Sequence, residues 1–320
     1  MKFYLAPLEG ITGFDFRNTV NKYYGKGVDK YFTPFFAPHT KRTMNTREMR
    51  DVLAVNNEGI NLVPQILTIS SADFLRFEHD MHSMGYDEVN INIGCPSGTV
   101  TAKGRGSGLL KDKDALDEFL YGVYEKKTGP VSVKTRLGYD DPEEFYEILD
   151  IYNRYEMSEL IIHPRVRNEF YKGRVHKDIF AYAMNNSRNE LCFSGDIFTV
   201  SDYEKLMKYL GEKSDMKMLG AVMLGRGMVA NPSLIRQLAG GSMTSRTELY
   251  DFCRDFASAM LKTTGNPGVV LAKMKELWNF MTALFPGEEK AVKKMLKCKT
   301  LDELLLLQKE VFFNGDFLGV

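Results

Sequence analysis

A cysteine directly follows one of the predicted strands. The alternating segment Val89–Ile93 predicts a strand, and Cys95 stands on the turn behind it. A thiol at the mouth of a strand is expected to face a ligand and not the core. The next loop, residues 99–108, is rich in glycine and carries Lys103 and Arg105, which is typical of a mobile lid that attracts anions. This stretch therefore predicts the centre of an active site.

Polar side chains also follow most of the other predicted strands. Lys134 and Arg136 are two residues apart, as are His163 and Arg165, so each pair faces one side of its strand. In a parallel barrel the carboxyl ends of the strands form the functional face. The candidates on that face are Pro7, Glu9, Gln65, Asn92, Cys95, Lys134, Arg136, His163, Arg165, Ser194, Gly195, Asp196, Gly225 and Arg226.

The last two strand ends predict a phosphate site. Ser194-Gly195-Asp196 and Gly225-Arg226-Gly227 would let the backbone approach an anion closely, and Arg226 adds a positive charge. The helix expected from Asn231-Pro232 would add its positive N-terminus. Phosphate sites after the seventh and eighth strands recur in barrels.

A phosphate site beside Lys134 and Gln65 suits flavin mononucleotide (FMN). A cation near the N1/O2 edge of the ring stabilises the anionic reduced flavin, and amide groups can bind its pyrimidine edge. Cys95 would then act as a general acid–base beside the ring, and no metal is needed.

Short apolar runs alternate with segments of helical periodicity. The predicted strands are Phe3–Ala6, Lys30–Phe35, Leu62–Ile66, Glu88–Ile93, Val131–Thr135, Glu159–His163, Leu191–Ser194 and Ala221–Leu224. Helices are predicted between them, two starting from caps at Ser71 and at Asp141-Pro142. The predicted helices are Phe14–Tyr24, Ala72–Met84, Asp114–Lys126, Glu143–Arg154, His176–Met184, Val200–Tyr209 and Pro232–Leu238. The fold class is therefore α/β, a (β/α)8 TIM barrel. An open doubly wound sheet is the alternative, disfavoured because no Gly-x-Gly-x-x-Gly follows the first strand.

The strand signals end near residue 240. Residues 1–240 are predicted to form the barrel and residues 241–320 a small helical domain. One predicted helix of this tail carries lysines at spacings of three and four, which place them on one face. On its own, such a run is typical of a solvated surface. The lysines are Lys290, Lys293, Lys294, Lys297 and Lys299.

The composition excludes several classes of protein. With 320 residues, 44% of them hydrophobic and 26% charged, the chain has the composition of an ordinary globular protein. Lys plus Arg equals Asp plus Glu, 42 each, which argues weakly against a nucleic-acid partner. The four cysteines contain no CxxC pair, which argues against zinc and iron–sulfur sites, and they are too few in so long a chain for a disulfide framework. No signal-peptide pattern or long apolar run occurs, so we expect a cytoplasmic monomer without a membrane partner.

Taken together, the motifs of this chain resemble those of the tRNA-dihydrouridine synthases, flavoenzymes that reduce uridine in tRNA. They occur in the family's order over residues 6–232, and the helical tail matches the family's second domain in position and length. The Asn-x-Gly-Cys-Pro and Lys-x-Arg-x-Gly motifs together are highly specific. The motifs are Ala6-Pro7-Leu8-Glu9-Gly10, Asn92-Ile93-Gly94-Cys95-Pro96, Val133-Lys134-Thr135-Arg136-Leu137-Gly138, His163-Pro164-Arg165 with Tyr171-Lys172-Gly173, Ser194-Gly195-Asp196-Ile197, and Val222-Met223-Leu224-Gly225-Arg226-Gly227.

The resemblance implies roles for individual residues. Cys95 would be the proton donor, and NADPH would reduce FMN before a uridine drawn out of the tRNA is reduced. FMN would be held by Pro7, Leu8, Glu9, Gln65, Lys134, His163, Ser194, Gly195, Asp196, Gly225 and Arg226. The uracil ring would contact Asn92, Arg136 and Tyr171. The tRNA backbone would meet Lys103, Arg105, Arg165, Arg167, Lys172, Arg174, Lys293 and Lys297.

Two other functions stay open from the residues alone. A flavin barrel could oxidise or reduce a free pyrimidine such as dihydroorotate, although a free pyrimidine needs no second basic domain. A tRNA-binding protein without turnover is the third possibility, against which the reactive set Cys95, Lys134 and His163 argues. The sequence does not indicate which uridine is modified, or whether NADPH or NADH is preferred.

Overall fold

A parallel sheet forms the framework of the protein in a computed structural model that describes residues 1–38 and 44–319. Every recorded strand pair is parallel, and the order β3-β2-β1-β9-β8-β7-β6-β5-β4 bends into a nearly closed barrel. The predicted TIM barrel is thereby confirmed. The strands are β1 (Lys2–Leu5), β2 (Lys30–Phe32), β3 (Leu62–Val63), β4 (Gln65–Ile66), β5 (Val89–Ile93), β6 (Val131–Arg136), β7 (Leu160–His163), β8 (Leu191–Phe193) and β9 (Leu219–Leu224).

The ninth strand arises because Pro64 divides the predicted third strand. Proline has no backbone N–H, so it interrupts a hydrogen-bonded ladder. The half before it pairs with β2, and the half after it pairs with β5. Thr33 bridges the break, since its hydroxyl oxygen accepts from the N–H of Gln65 at 2.9 Å. Together β3 and β4 thus occupy one strand position of an eight-stranded barrel. We call the interruption at Pro64 the seam.

Helices follow the strands, and most begin where the sequence predicts. Helix Phe14–Tyr24 has the predicted bounds, whereas the predicted cap Ser71 is the first helical residue and Ser70 is the actual N-cap, accepting from the N–H of Asp73. The helices are α1 (Phe14–Tyr24), α2 (Thr46–Val52), α3 (Ser71–Ser83), α4 (Gly98–Thr101), α5 (Lys113–Tyr124), α6 (Glu144–Tyr152), α7 (Lys177–Asn186), α8 (Val200–Lys213), α9 (Arg226–Ala230), α10 (Leu234–Leu238), α11 (Arg246–Thr264), α12 (Pro267–Met281), α13 (Glu289–Lys297) and α14 (Leu301–Asn314).

The chain divides into two compact units. The first comprises Met1–Pro7, Asp29–Gly195 and Lys205–Met223, and it contains the barrel sheet. A cluster of buried residues fills its interior, from β2, β3, β7, β8 and β9 and from β1 with the residue that directly follows it. They are Tyr4, Ala6, Phe32, Val63, Ile161, Cys192, Ala221 and Met223.

The second unit comprises Leu8–Val28, Asp196–Glu204 and the chain from Leu224 onward, so it takes in more than the tail. Phe16 of α1 packs edge-on against Phe252 and Phe256 of α11, with ring centroids 6.0 and 5.6 Å apart. Trp278 is buried and its indole N–H donates to Gln308 Oε1 at 3.0 Å. The independence of residues 1–240 and 241–320 as folding domains stays a prediction.

A buried carboxyl group lies at the start of β7, inside the first unit. Glu159 is 2% exposed and accepts a hydrogen bond from the Tyr4 hydroxyl at 2.9 Å, and its other carboxyl oxygen has no hydrogen-bond partner among the described residues. Burial raises its pKa from 4.5 to about 7, a shift that the positive charge of Lys30 reduces. The proton is therefore held more tightly in the folded protein than in the unfolded chain.

We expect Glu159→Gln to remove a pH-dependent loss of stability. Because the folded-state pKa is raised, the stability conferred by the proton is complete below pH 4.5 and is lost as the pH rises through about 7. At about 1.4 kcal/mol per pH unit, the full effect is about 3 kcal/mol. Urea unfolding between about pH 5 and 8 measures it, with the exposed Glu156→Gln as control. A variant that loses stability with pH as steeply as the wild type would contradict this assignment.

Candidate active site

Asn92 holds the turn that carries Cys95. Its Oδ1 accepts from the N–H of Gly94 at 3.0 Å and from the N–H of Cys95 at 2.9 Å. From the lid, Ser107 donates to the Cys95 carbonyl through its N–H and its hydroxyl, at 3.1 and 2.9 Å. Gly106 makes this approach possible, since it has φ +56° and a Cβ there would lie 2.7 Å from the Cys95 oxygen. The backbone of Cys95 is thus fixed on both sides, at its N–H and at its carbonyl, while the residue is half-buried and in no disulfide.

A row of side-chain amides extends from this turn across three strands. Asn92 Nδ2 donates to Gln65 Oε1 at 2.7 Å, and Gln65 Nε2 donates to Asn90 Oδ1 at 2.7 Å. Asn90 Nδ2 then donates to the Ser132 hydroxyl at 2.9 Å. The backbone N–H groups at Cys95 can only donate, so they fix which end of each amide is oxygen. The row, which we call the amide row, therefore presents Gln65 and Asn92 in one orientation.

Lys134 lies directly beside Asn92 in the register of β5 and β6. Burial lowers the pKa of its ammonium to about 8, and the charge of Arg136 contributes to this shift. Among the described residues, the ammonium has no recorded ion pair or hydrogen bond. A half-buried cation without an acid partner among the described residues is expected to meet a negatively charged or accepting ligand.

Arg136 holds the loops around the barrel mouth together. Its guanidinium donates to the carbonyl oxygens of Gly94 at 3.0 Å, Val166 at 2.9 Å and Phe170 at 2.8 Å. It also lies 5.4 Å from the ring centroid of Tyr171. Burial is the main cause that lowers its pKa, to about 10. Contact of Arg136 with a uracil ring stays a prediction, while its role in loop structure is visible.

His163 is paired with Arg136 in the register of β6 and β7, and its ring lies edge-on to Tyr171 at 6.1 Å. Arg165 Nη1 lies 3.3 Å from His163 Nε2. Because a guanidinium only donates, Nε2 accepts and the imidazole carries its proton on Nδ1. Arg165 Nε donates to the Gly173 carbonyl at 2.7 Å, so this buried arginine connects β7 to the following loop.

The residues predicted to meet tRNA differ in exposure. Arg165 is buried, and Arg105 and Arg167 are half-buried. Arg167 lies over the rings of Tyr139 and Phe170, at 5.2 and 5.1 Å from their centroids, and donates to Thr101 of α4 at 3.3 Å. The exposed members are Lys103, Lys172, Arg174, Lys293 and Lys297. Their contact with tRNA stays a prediction.

The predicted phosphate residues of the second unit contain an ion pair. Arg226 and Asp196 form a salt bridge, and the Arg226 guanidinium lies 5.5 Å from the Phe198 ring centroid. Helix α9 starts here with no side-chain cap among the described residues, and the N–H groups of Met228 and Val229 donate to the Gly225 carbonyl at 2.9 and 3.3 Å. Gly227 is required, because a Cβ there would lie 2.0 Å from the Ile197 carbonyl oxygen.

The remaining predicted cofactor residues lie on short turns. Pro7 ends the first stretch of the barrel unit, and Ser194 and Gly195 directly follow β8. In the second unit, Leu8 starts a turn whose carbonyl accepts from the N–H groups of Ile11 and Thr12, and Glu9 is exposed on it. Contact of these residues with a cofactor stays a prediction.

Sequence reasoning missed Asn90 and Ser132 of the amide row, and it missed the buried Glu159. A signal for Asn90 was present, since it is two residues before Asn92 and therefore faces the same side of β5. No sequence signal pointed to Ser132, whose role depends on strand register. In the described part of the chain, no group of three or more His, Cys, Asp or Glu side chains could hold a metal ion. No described helix has the length and apolar character needed to span a membrane.

A parallel barrel with a cysteine, a lysine, an arginine and a histidine at the carboxyl ends of neighbouring strands has the arrangement of a barrel enzyme. The family model described as "Dihydrouridine synthase (Dus)" matches residues 4–304, and the chain belongs to this family of oxidoreductases. A protein of Staphylococcus aureus named "Probable tRNA-dihydrouridine synthase" is 30% identical over 233 residues, 72% of this chain and 69% of the relative. "Probable tRNA-dihydrouridine synthase 2" of Bacillus subtilis is 30% identical over 239 residues, 72% and 70% of the two chains.

Proposed function

We propose that this protein is a tRNA-dihydrouridine synthase that reduces the C5=C6 bond of uridines in tRNA with NADPH and FMN. The observation that carries the proposal is the cluster at the barrel mouth, where Lys134, which has no ion pair with the described residues, lies beside Asn92 of the amide row and the Cys95 turn. The names of the relatives support the tRNA substrate.

The residues of the barrel unit fit a bound flavin. Lys134 is a half-buried cation without an acid partner among the described residues, which suits the electron-rich N1/O2 edge of an isoalloxazine ring. The amide row fixes which atom of the Gln65 side-chain amide is nitrogen and which is oxygen, so Gln65 offers a donor and an acceptor in defined directions to such a ring. FMN would supply the hydride for C6 of uracil after reduction by NADPH. In the first unit we propose Pro7, Gln65, Lys134, His163, Ser194 and Gly195 as the residues that hold FMN. A cofactor role for Leu8, Glu9, Asp196, Gly225 and Arg226 of the second unit stays a prediction from the sequence.

Cys95 is proposed to hold the proton that C5 of the uracil receives. The thiol must be protonated for this role, and Asn92 and Ser107 fix the backbone of the turn from which it projects. Arg136 and Tyr171, in contact with each other beside His163, would face the same base. The side-chain oxygen of Asn92 already accepts from the Cys95 turn, so the atom of Asn92 proposed to contact the base is Nδ2.

The charged groups on the surface suit a polyanionic substrate. In the second unit, α13 buries Val292 and Met295 and exposes a lysine face, defined as Lys290, Lys293, Lys294 and Lys297. No recorded ion pair joins these lysines to described residues. Uncompensated cations on one helix face are available to phosphate groups.

We expect the double charge reversal Lys293→Glu with Lys297→Glu to weaken binding of tRNA. Each lost phosphate contact should lower the slope of log affinity against log salt by about 1. Filter binding of purified tRNA at several salt concentrations measures this slope. The control is Lys262→Glu with Lys309→Glu, which reverses the same charge at exposed positions outside α13. An equal loss in both double variants would mean that only net charge matters and that α13 makes no specific contact.

Position-resolved mapping of dihydrouridine in tRNA tests the proposed function. Cells without this gene should lack dihydrouridine at defined tRNA positions, and the wild-type gene should restore it. Purified protein should be yellow when loaded with FMN and should reduce tRNA lacking the modification, but not free uracil or dihydroorotate. Turnover of a free pyrimidine with no change in tRNA would establish the alternative function, and a protein that binds no flavin would refute both.

A further inference from the structure

The loop after β7 contains a phenylalanine at a backbone position that favours glycine. Phe170 has φ 49° and ψ −103°, and it is the one non-glycine residue with positive φ in the described part of the chain. The N–H of Lys172 donates to the Glu169 carbonyl at 2.9 Å, so residues 169–172 form a β-turn with Phe170 second. In a type II′ turn the second residue has φ and ψ of about +60° and −120° and is normally glycine. The angles of Phe170 are close to these values.

The strained conformation is held firmly by the active-site residue Arg136. Its Nη2 donates to the Phe170 carbonyl at 2.8 Å, and the Phe170 N–H donates to the Arg167 carbonyl at 3.2 Å. The Glu169 carboxylate accepts from the N–H of Val166 and hydrogen-bonds to His176, each at 2.9 Å. Strained residues persist where the surroundings over-determine them, and they are concentrated at functional sites.

The Phe170 side chain makes few packing contacts that would offset this backbone strain. Phe170 is 41% exposed and makes no recorded ring–ring contact with the described residues. Its neighbour on the turn, Tyr171, is 45% exposed and contacts Arg136 and His163 at the barrel mouth. Arg167 lies 5.1 Å from the Phe170 ring centroid, which places a cation beside the exposed ring. A large apolar ring is thus presented to solvent next to cations and to the proposed uracil contacts.

We propose that Phe170 is a stacking site for an unpaired nucleobase of the RNA adjacent to the uridine under reduction. A base drawn into the barrel mouth leaves its neighbour unstacked, and an aromatic ring replaces the lost stacking in single-stranded RNA recognition. Lys172 and Arg174, exposed on the same loop, suit the phosphates on either side of that nucleobase. The inference rests on the proposed function, because it needs an RNA substrate at this mouth.

The affinity for tRNA isolated from cells that lack this gene tests the site. Stacking by one aromatic ring implies that Phe170→Ala, Phe170→Leu and Phe170→Gly weaken binding by roughly 5- to 150-fold, whereas Phe170→Trp retains it. The salt dependence of binding should stay as in the wild type, since no charge is removed. The control is Tyr121→Ala, which removes an aromatic ring of 59% exposure from α5 and should leave affinity unchanged.

A second readout separates stacking from a purely structural role. Phe170→Gly relieves the positive φ, so its melting temperature should equal or exceed that of Phe170→Ala while its affinity for tRNA is as low. Binding by Phe170→Leu as tight as that of the wild type would overturn the proposal, because a leucine fills the space without stacking. The wild-type protein must form dihydrouridine in the same preparation. If it does not, the proposed function has failed and not this site alone.

Discussion

Cys95→Ala is expected to keep FMN and to lose dihydrouridine formation, by roughly 100- to 10,000-fold in rate. That range is the usual contribution of a positioned general acid. The proposed proton for C5 comes from this thiol, whose turn is fixed by Asn92 and Ser107 through backbone groups that alanine retains. The substitution therefore removes the proton donor and leaves the backbone turn at residue 95 intact.

Single-turnover reduction of tRNA measures this effect. Protein reduced with NADPH is mixed with tRNA lacking the modification, and the rate of reoxidation of the flavin absorbance is compared between variants. Cys298→Ser serves as control, since this buried cysteine of the second unit donates to the Lys294 carbonyl and serine can do the same. A Cys95→Ala protein that reduces tRNA at the wild-type rate would show that the proton comes from another group.

Lys134→Met should stabilise the protein without cofactor and impair its flavin chemistry. Burial holds the pKa of this ammonium at about 8, below its ordinary 10.5, so the charged form is disfavoured in the folded state. Methionine keeps much of the side-chain volume and removes the charge, which should raise the free energy of unfolding by about 1–3 kcal/mol near neutral pH. Losing a preorganised cation should slow reduction of bound FMN by NADPH roughly 100-fold or more.

The stability difference has a definite pH dependence. The penalty on the charged lysine is present below pH 8 and disappears as the pH rises from about 8 toward 10.5, because the folded protein then releases its proton first. The wild type should thus approach the stability of the variant in alkaline solution. Denaturant unfolding without FMN measures this, with the exposed Lys126→Met as control. A variant less stable than the wild type at pH 7 would mean that Lys134 has a stabilising partner.

The sequence predicted the barrel and most of its mouth because strand periodicity and chain order determine which residues reach the carboxyl ends. It did not predict the seam, because Pro64 lies inside an apolar run whose hydrophobic pattern continues through it. The predicted cap at Asp141-Pro142 does act at the start of this helix, since Asp141 Oδ1 accepts from the N–H of Glu143 at 2.9 Å and the Glu144 carboxylate accepts from the N–H of Asp141 at 2.8 Å. The regular turns of α6 begin later, at Glu144.

Within the candidate site, the types of residue were predictable but their contacts were not. Arg136 and Asn92 were assigned to a substrate, yet each devotes hydrogen bonds to the backbone of the loops. Such commitments depend on where loops return after leaving a strand, and loop paths are set by tertiary packing. Phe170 carried no signal either, since a positive φ at a phenylalanine is contrary to local preference.

The amide row has a consequence for how the reaction responds to acidity. Its members are amides, a hydroxyl and backbone groups, none of which gains or loses a proton between about pH 4 and 10. The geometry of the Cys95 turn should therefore be the same in weakly acidic and weakly alkaline solution. A pH–rate profile of dihydrouridine formation then reports on the groups that exchange protons during turnover, and not on the scaffold that positions them.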